Sequence, residues 1–176
     1  MAIDENKTFT PINIAILTVS DTRTLENDTS GDILAERVTE AGHTLAARTI
    51  VEDDAALLAT QFDAWIDDPQ IDAIVSTGGT GLTGRDVTPE ALARIGGARD
   101  IPGFGELFRW LSFKTIGTST VQSRACAVVA RGTYIFALPG SNGAVKDGWD
   151  GILAEQLDSR NRPCNFVELM PRLKEK

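Results

Sequence analysis

Apolar residues gather in short β-branched runs that alternate with segments of helical spacing. Residues 12–19 (INIAILTV), 44–51 (TLAARTIV) and 71–76 (IDAIVS) read as buried strands. Between the first two, Ile33, Leu34, Arg37 and Val38 predict a helix over about 31–41, with Ser30 or Thr29 as its cap and Gly42 as its stop. Leu57, Leu58, Phe62, Trp65 and Ile66 give the apolar face of a second helix, capped by Asp53 or Asp54 and ended by Pro69. Thr88-Pro-Glu-Ala-Leu predicts a third helix start with Thr88 as cap and Pro89 in the first turn. Phe104, Leu107, Phe108 and Leu111 recur at i, i+3, i+4 and i+7 and predict a fourth. CAVVAR and TYIFALP read as a hairpin joined at Gly132. A loop beginning PGSNG then feeds a last helix, and the two prolines of NRPCNFVELMPRLKEK predict an extended tail.

Alternating strands and helices predict a largely parallel sheet covered on both faces, made mixed by the late hairpin: a single α/β domain with three α/β/α layers. In such folds ligands gather outside the carboxyl ends of the strands. Three loops of unusual composition fall at such ends: SDTRTLENDTSG, TGGTGLTGRD and PGSNGA.

Composition narrows the function classes. The 176 residues are 42% hydrophobic and 24% charged, ordinary values for a globular domain. A net charge of −8, from 25 acidic and 17 basic residues, argues against nucleic-acid binding while leaving room for a small anionic ligand. The polar start has no apolar stretch of signal-peptide type, and no run approaches membrane-spanning length, so a cytoplasmic location without membrane attachment is expected. Cys126 in CAVVA reads as a core thiol and Cys164 as a free thiol near the surface. One histidine, His43, excludes multi-histidine metal sites and reads as structural. Trp65, Trp110 and Trp149 read as core or interface residues.

The chemistry then rests on the loops. Thr77, Gly78, Gly79, Thr80 and Gly81 follow a strand, and glycines there let successive N–H groups turn toward one anion. The segment matches neither a Walker A motif nor a dinucleotide fingerprint, and a plain turn is the simpler alternative. Asp86 behind it suits a divalent cation shared with phosphate, or a helix cap. Asp53, ending the second strand, is equally a ligand or a cap. Ser20, Asp21 and the Asp28–Gly31 segment are turn-formers by default. Ser123 and Arg124 offer a hydroxyl and a fixed positive fork, and Pro139, Gly140, Ser141 and Asn142 offer another flexible cradle. The inventory favours phosphoryl or nucleotidyl transfer, which needs positioning and charge neutralisation more than a protein nucleophile.

The stretches LTVSDTRT, DTSG, IVEDD, STGGTGLTGRDVTPEAL, GFGELFRWLSFKTIGTSTVQSRA, LPGS and LDSRNRPCNF resemble the MoaB/MogA family of molybdenum cofactor biosynthesis proteins, the MoaB branch most closely, over roughly residues 12–166. The resemblance implies an α/β/α domain that assembles as a homotrimer or hexamer. Catalytic members adenylylate molybdopterin with Mg2+ and ATP, releasing pyrophosphate. By position, the two required aspartates of the family fall on Asp53 and Asp86, which would also serve the metal. The glycine loop falls on Thr77 to Gly81, the Ser-Arg segment on Ser123 and Arg124, and the PG loop on Pro139 to Asn142. Glu52 stands where many members have proline, and Ser141-Asn142 where many have a residue followed by proline.

Three readings follow. The first is the Mg2+-dependent molybdopterin adenylyltransferase, and the second a molybdopterin-binding oligomer without turnover. The third is a nucleotide hydrolase of the competence-damage type, whose GGLGPT and DDxT motifs differ from GGTGLTGRDVT here. Retention of both aspartates favours the first.

Overall fold

A computed structural model describes residues 3–175. The chain runs β1 (Asn13–Val19), α1 (Thr29–Glu40), β2 (Thr44–Val51), α2 (Ala55–Ile66), β3 (Ala73–Thr77), α3 (Thr88–Ala93), β4 (Arg99–Asp100), α4 (Pro102–Ile116), β5 (Cys126–Ala130), β6 (Thr133–Leu138) and α5 (Asn142–Gly148). A π-helical turn (Trp149–Leu153) leads into α6 (Ala154–Gln156), and α7 (Phe166–Leu169) follows. The six strands form one sheet in the order β2-β1-β3-β6-β5-β4. β1, β2, β3 and β6 are parallel, while β5 runs antiparallel to β6 and β4 to β5. This is the mixed α/β sheet expected from the pattern.

Alternation along the strands divides the interior in two, because successive side chains point to opposite faces. Ile14, Ile16, Val75 and Phe136 pack with Leu34, Val38, Phe104, Phe108 and Trp149 on one face. Ala15, Leu17, Ile74 and Ile135 pack with Leu58, Phe62, Ala91 and Leu92 on the other. Helices therefore cover both faces, giving the three layers. The chain leaves β1 for β2 on one side and returns to β3 on the other, so the sheet switches direction between β1 and β3. That is where ligands collect in open α/β sheets.

Several local expectations are corrected. α1 is capped by Asp28, whose carboxylate accepts from the Gly31 amide, and not by Ser30 or Thr29. Of the two candidate caps for α2, Asp54 is the one used, through the amides of Ala56 and Leu57. Thr88 is the first residue of α3 and not its cap; its hydroxyl donates to the Gly78 carbonyl at 2.9 Å. The last helix is broken by the π turn at Trp149, and the tail is not extended: α7 and a 3-10 turn (Met170–Arg172) occupy it, with Asn165 capping α7. Cys126 is half-buried, with its thiol pushed up to about 11 by burial, and Cys164 is exposed. Trp149 is buried, whereas Trp110 is 59% exposed and lies outside the core of this chain. His43 is buried and accepts from the Ile12 amide through Nδ1, the structural role expected for it. Among the described residues, no helix is long and apolar enough to cross a membrane.

Candidate functional site

The loops after β1, β3 and β6 meet at the carboxyl ends of three adjacent parallel strands. Sterics explain why the middle loop is glycine-rich. Gly78 (φ +108°) passes so close to Val19 that a Cβ would overlap the Val19 carbonyl, and Gly79 (φ +65°) would drive one into the Thr88 hydroxyl. The Gly78 amide donates to Leu138 O, and Thr77 Oγ1 to Pro139 O at 3.1 Å, so the β3 and β6 loops are joined directly. Among the described residues, the amides of Gly79 and Thr80 meet no protein acceptor. Free N–H groups in a left-handed turn are what an anion cradle requires.

Two carboxylates flank this loop. Asp86 Oδ2 accepts from the Thr83 amide at 2.8 Å and the Thr83 hydroxyl at 2.6 Å. Burial raises the Asp86 carboxyl, but these bonds, the Gly81 amide and the Arg124 charge together hold it below the ordinary value. The Asp53 side chain sits across the loop, its Oδ1 3.2 Å from where a Gly79 Cβ would stand. Among the described residues no donor reaches its carboxylate, and burial, followed by the Asp86 charge, raises its pKa. Its backbone N–H is held at 3.1 Å by Asp21 Oδ1, while Asp21 Oδ2 pairs with Arg85.

The other residues singled out from sequence take varied parts. Ser20 Oγ accepts from the amides of Thr22 and Arg23, closing the turn after β1. Ser141 caps α5, and Asn142 Oδ1 accepts from Thr29 Oγ1 at 3.0 Å, tying the β6 loop to α1. Gly140 packs on Gly78, and its carbonyl accepts from Arg23 at 3.2 Å. Arg124, expected as a fork for an anion, donates to Gly81 O and Asp86 O and pairs with Glu90. Ser123 Oγ accepts from the Ala125 amide.

Beside the glycine loop lies a cleft of about 180 Å3, lined by Thr80, Gly81, Ser112, Thr120, Ser123 and Ser141 over a floor that includes Phe108. No ionisable side chain lines it. Thr80 is buried, and its hydroxyl has no hydrogen-bond partner. Ser112 and Thr120 lie in the stretch GFGELFRWLSFKTIGTSTVQSRA, but nothing in their helical or 3-10 setting marks them individually as site residues in the sequence. Asp28, which reads as a turn-former in the sequence, does more in the structure. Fully buried, its carboxylate accepts from Thr18, Arg23, Arg48 and the Gly31 amide and so organises the whole β1–α1 loop.

A match to the family described as the probable molybdopterin binding domain spans residues 15–159, covering the three loops and both aspartates. The chain belongs to this family. Molybdenum cofactor biosynthesis protein B of Escherichia coli K12 is 51% identical over 158 residues, 90% of this chain and 92% of that protein. A crystal structure of molybdenum cofactor biosynthesis protein B aligns with a TM-score of 0.85 at 34% identity, over 97% of this chain and all of that one. The tungsten cofactor synthesizing protein MoaB from Pyrococcus furiosus aligns with a TM-score of 0.74 at 30% identity, over 94% of this chain and 98% of that one. The family places this chain among the molybdenum cofactor biosynthesis proteins, with a molybdopterin-binding domain, and the fold is that of MoaB structures.

Within the family, the donor set fits a hard divalent cation. Among the described residues there is no group of three metal-ligating side chains. Mg2+ does not need one, since it is held by one or two carboxylates together with substrate phosphates and water. Asp53, without a donor, and Asp86, with one oxygen committed to Thr83, offer oxygen ligands of that kind.

Proposed function

We propose that this chain adenylylates molybdopterin, using ATP and Mg2+, in molybdenum cofactor biosynthesis. The observation that carries the reading is the carboxylate pair across the glycine loop. Asp53 has no hydrogen-bond donor among the described residues, and burial, followed by the Asp86 charge, raises its pKa, a penalty that a bound cation would relieve. When bound, Mg2+ supplies charge neutralisation for the triphosphate and the departing pyrophosphate. The remaining work is positioning, which suits a site without a nucleophilic side chain.

In the reaction, a terminal phosphate oxygen of molybdopterin forms a bond to the α-phosphorus of ATP. The bond from that phosphorus to the pyrophosphate oxygen breaks, and the products are adenylylated molybdopterin and pyrophosphate. The free Gly79 and Thr80 amides are placed to hold a phosphate, and the Thr80 hydroxyl has its hydrogen-bonding capacity unspent. The uncharged cleft beside them suits the neutral pterin part of the substrate. Asp53 and Asp86 would hold the cation, with Asp21 fixing the backbone of the first and Thr83 orienting the second.

A molybdopterin-binding protein without turnover is the second reading. It is favoured by one observation: Asp86 Oδ2 already serves as a loop staple for Thr83. Pyrophosphate release from Mg·ATP in the presence of molybdopterin separates the two. Release that depends on molybdopterin is the expected result, and tight molybdopterin binding without release supports the second reading. Self-association as a homotrimer or hexamer belongs to the same proposal. The exposed row Leu107, Trp110, Phe113 and Ile116 along α4 supports it, and light scattering tests it.

A further inference from the structure

Arg124 is tied to the protein at every hydrogen-bonding nitrogen. Its backbone N–H donates to Thr80 O at 2.9 Å. Nε donates to Gly81 O at 2.7 Å and one terminal nitrogen to Asp86 O at 2.6 Å, while the other pairs with the Glu90 carboxylate. One guanidinium therefore spans both ends of the 81–86 loop. Between those ends, the outside tie among the described residues is Arg85, which pairs with Asp21 from an exposed position. Leu82, Thr83, Gly84 and Arg85 are all exposed, and a Cβ added at Gly84 would meet open space. The loop's internal bonds are the Thr83 amide and hydroxyl and the Gly81 amide to the Asp86 carboxylate, and the Asp86 amide to Thr83 O.

We propose that Arg124, oriented by Glu90, is a positioning residue that pins both ends of this loop and thereby sets where the Asp86 carboxylate stands. A planar fork with five donors can hold two carbonyls and a carboxylate at once, whereas an ammonium is a point charge on a flexible stem. Glu90 also offsets the positive charge, so the guanidinium is not left as a bare cation beside the loop. The catalytic consequence rests on the adenylyl-transfer reading, but the clamp itself does not.

The test uses the full chain with Arg124→Lys and Glu90→Gln, and it has two independent readouts. By hydrogen exchange, Arg124→Lys is expected to speed the amides of Thr83 and Asp86 about ten-fold while the β1 and β3 amides stay protected. In kinetics, the same variant should lose about 100-fold in kcat for pyrophosphate release, with molybdopterin affinity changed less than about three-fold. Glu90→Gln, at an exposed position, should shift both readouts in the same direction by a smaller factor. If Arg124 received a substrate anion instead, lysine would preserve turnover, and Glu90→Gln would free the guanidinium and tighten binding. Either of those results overturns the proposal, as does unchanged loop exchange in Arg124→Lys. Should the wild type release no pyrophosphate, the adenylyl-transfer reading fails while loop exchange still decides the clamp.

Discussion

Asp28 and Asp53 sit in neighbouring loops at the same end of the sheet, one after β1 and one after β2, yet they are treated in opposite ways. Asp28 is fully buried, and Thr18, Arg48, Arg23 and the Gly31 amide all donate to it. Burial raises its pKa, but those donors outweigh it and hold the carboxyl below the ordinary value. Asp53 is only half-buried but receives no donor among the described residues, and burial with the Asp86 charge pushes it the other way. A carboxylate whose lone pairs are filled by its own chain is a structural joint. One whose lone pairs are kept empty costs stability, and that cost makes sense where a ligand will fill them.

That contrast can be broken by substitution. The largest expected effect is on turnover: Asp53→Asn should reduce kcat for pyrophosphate release by about 1,000-fold, since it removes the charge but not the volume. It should leave the melting temperature unchanged or raised, because the repulsion with Asp86 goes too. A lowered melting temperature would mean that Asp53 has structural partners after all. Asp28→Ala is the converse. It removes the buried carboxylate shared by Arg23 and Arg48, leaving them Ser30, Gly140 O and Asp32, and uncaps α1, so denaturant unfolding should show a loss of about 3 kcal/mol. A loss below about 1 kcal/mol would show that the buried cage is not the joint described here.

Gly79→Ala comes next, at about 1–2 kcal/mol from the positive φ alone, before the overlap with Thr88 is counted. Chemical denaturation together with molybdopterin titration would show whether strain or blocked phosphate access dominates. The smallest effect is on pH dependence. Because Asp28 is depressed in the folded state, its stabilisation is full above the ordinary carboxylate pKa and is lost as pH falls through its lowered value. Asp53 is raised, so its ionisation costs stability at higher pH and the cost disappears on acidification. The stability difference between wild type and Asp53→Asn should therefore shrink as pH drops below the raised value, and a widening difference would contradict the assignment.

Much of this was legible in the sequence. The strands, the order of the helices and the three loops at strand ends follow from β-branched runs and helical spacing, which report burial directly. Caps were less legible. Asp28, Ser30 and Thr29 are all good cap residues, and only the cage of Arg23, Arg48 and Thr18 selects Asp28, through contacts with residues up to twenty positions away. Thr88 illustrates the same limit: a cap by residue type, it gives its hydroxyl to Gly78 O, a partner that exists only once the glycine loop has folded back on α3. In the tail, Pro163 and Pro171 argue against a helix, while Asn165 supplies a cap between them that lets α7 form. At the site, the Asp53 and Asp86 positions were visible, but their unequal environments were not. The use of Arg124 by loop carbonyls could not be foreseen from a Ser-Arg dipeptide, because it depends on where Gly81 and Asp86 O end up in space.

The central claim is that the carboxylates beside the glycine loop serve chemistry, and Asp86→Asn tests it most directly. Pyrophosphate release from Mg·ATP with molybdopterin is measured for the variant beside the wild type, with melting temperatures to confirm that both are folded. The expected result is molybdopterin-dependent release by the wild type and none by the variant at any ordinary Mg2+ concentration. Full release by a folded Asp86→Asn protein would contradict the account.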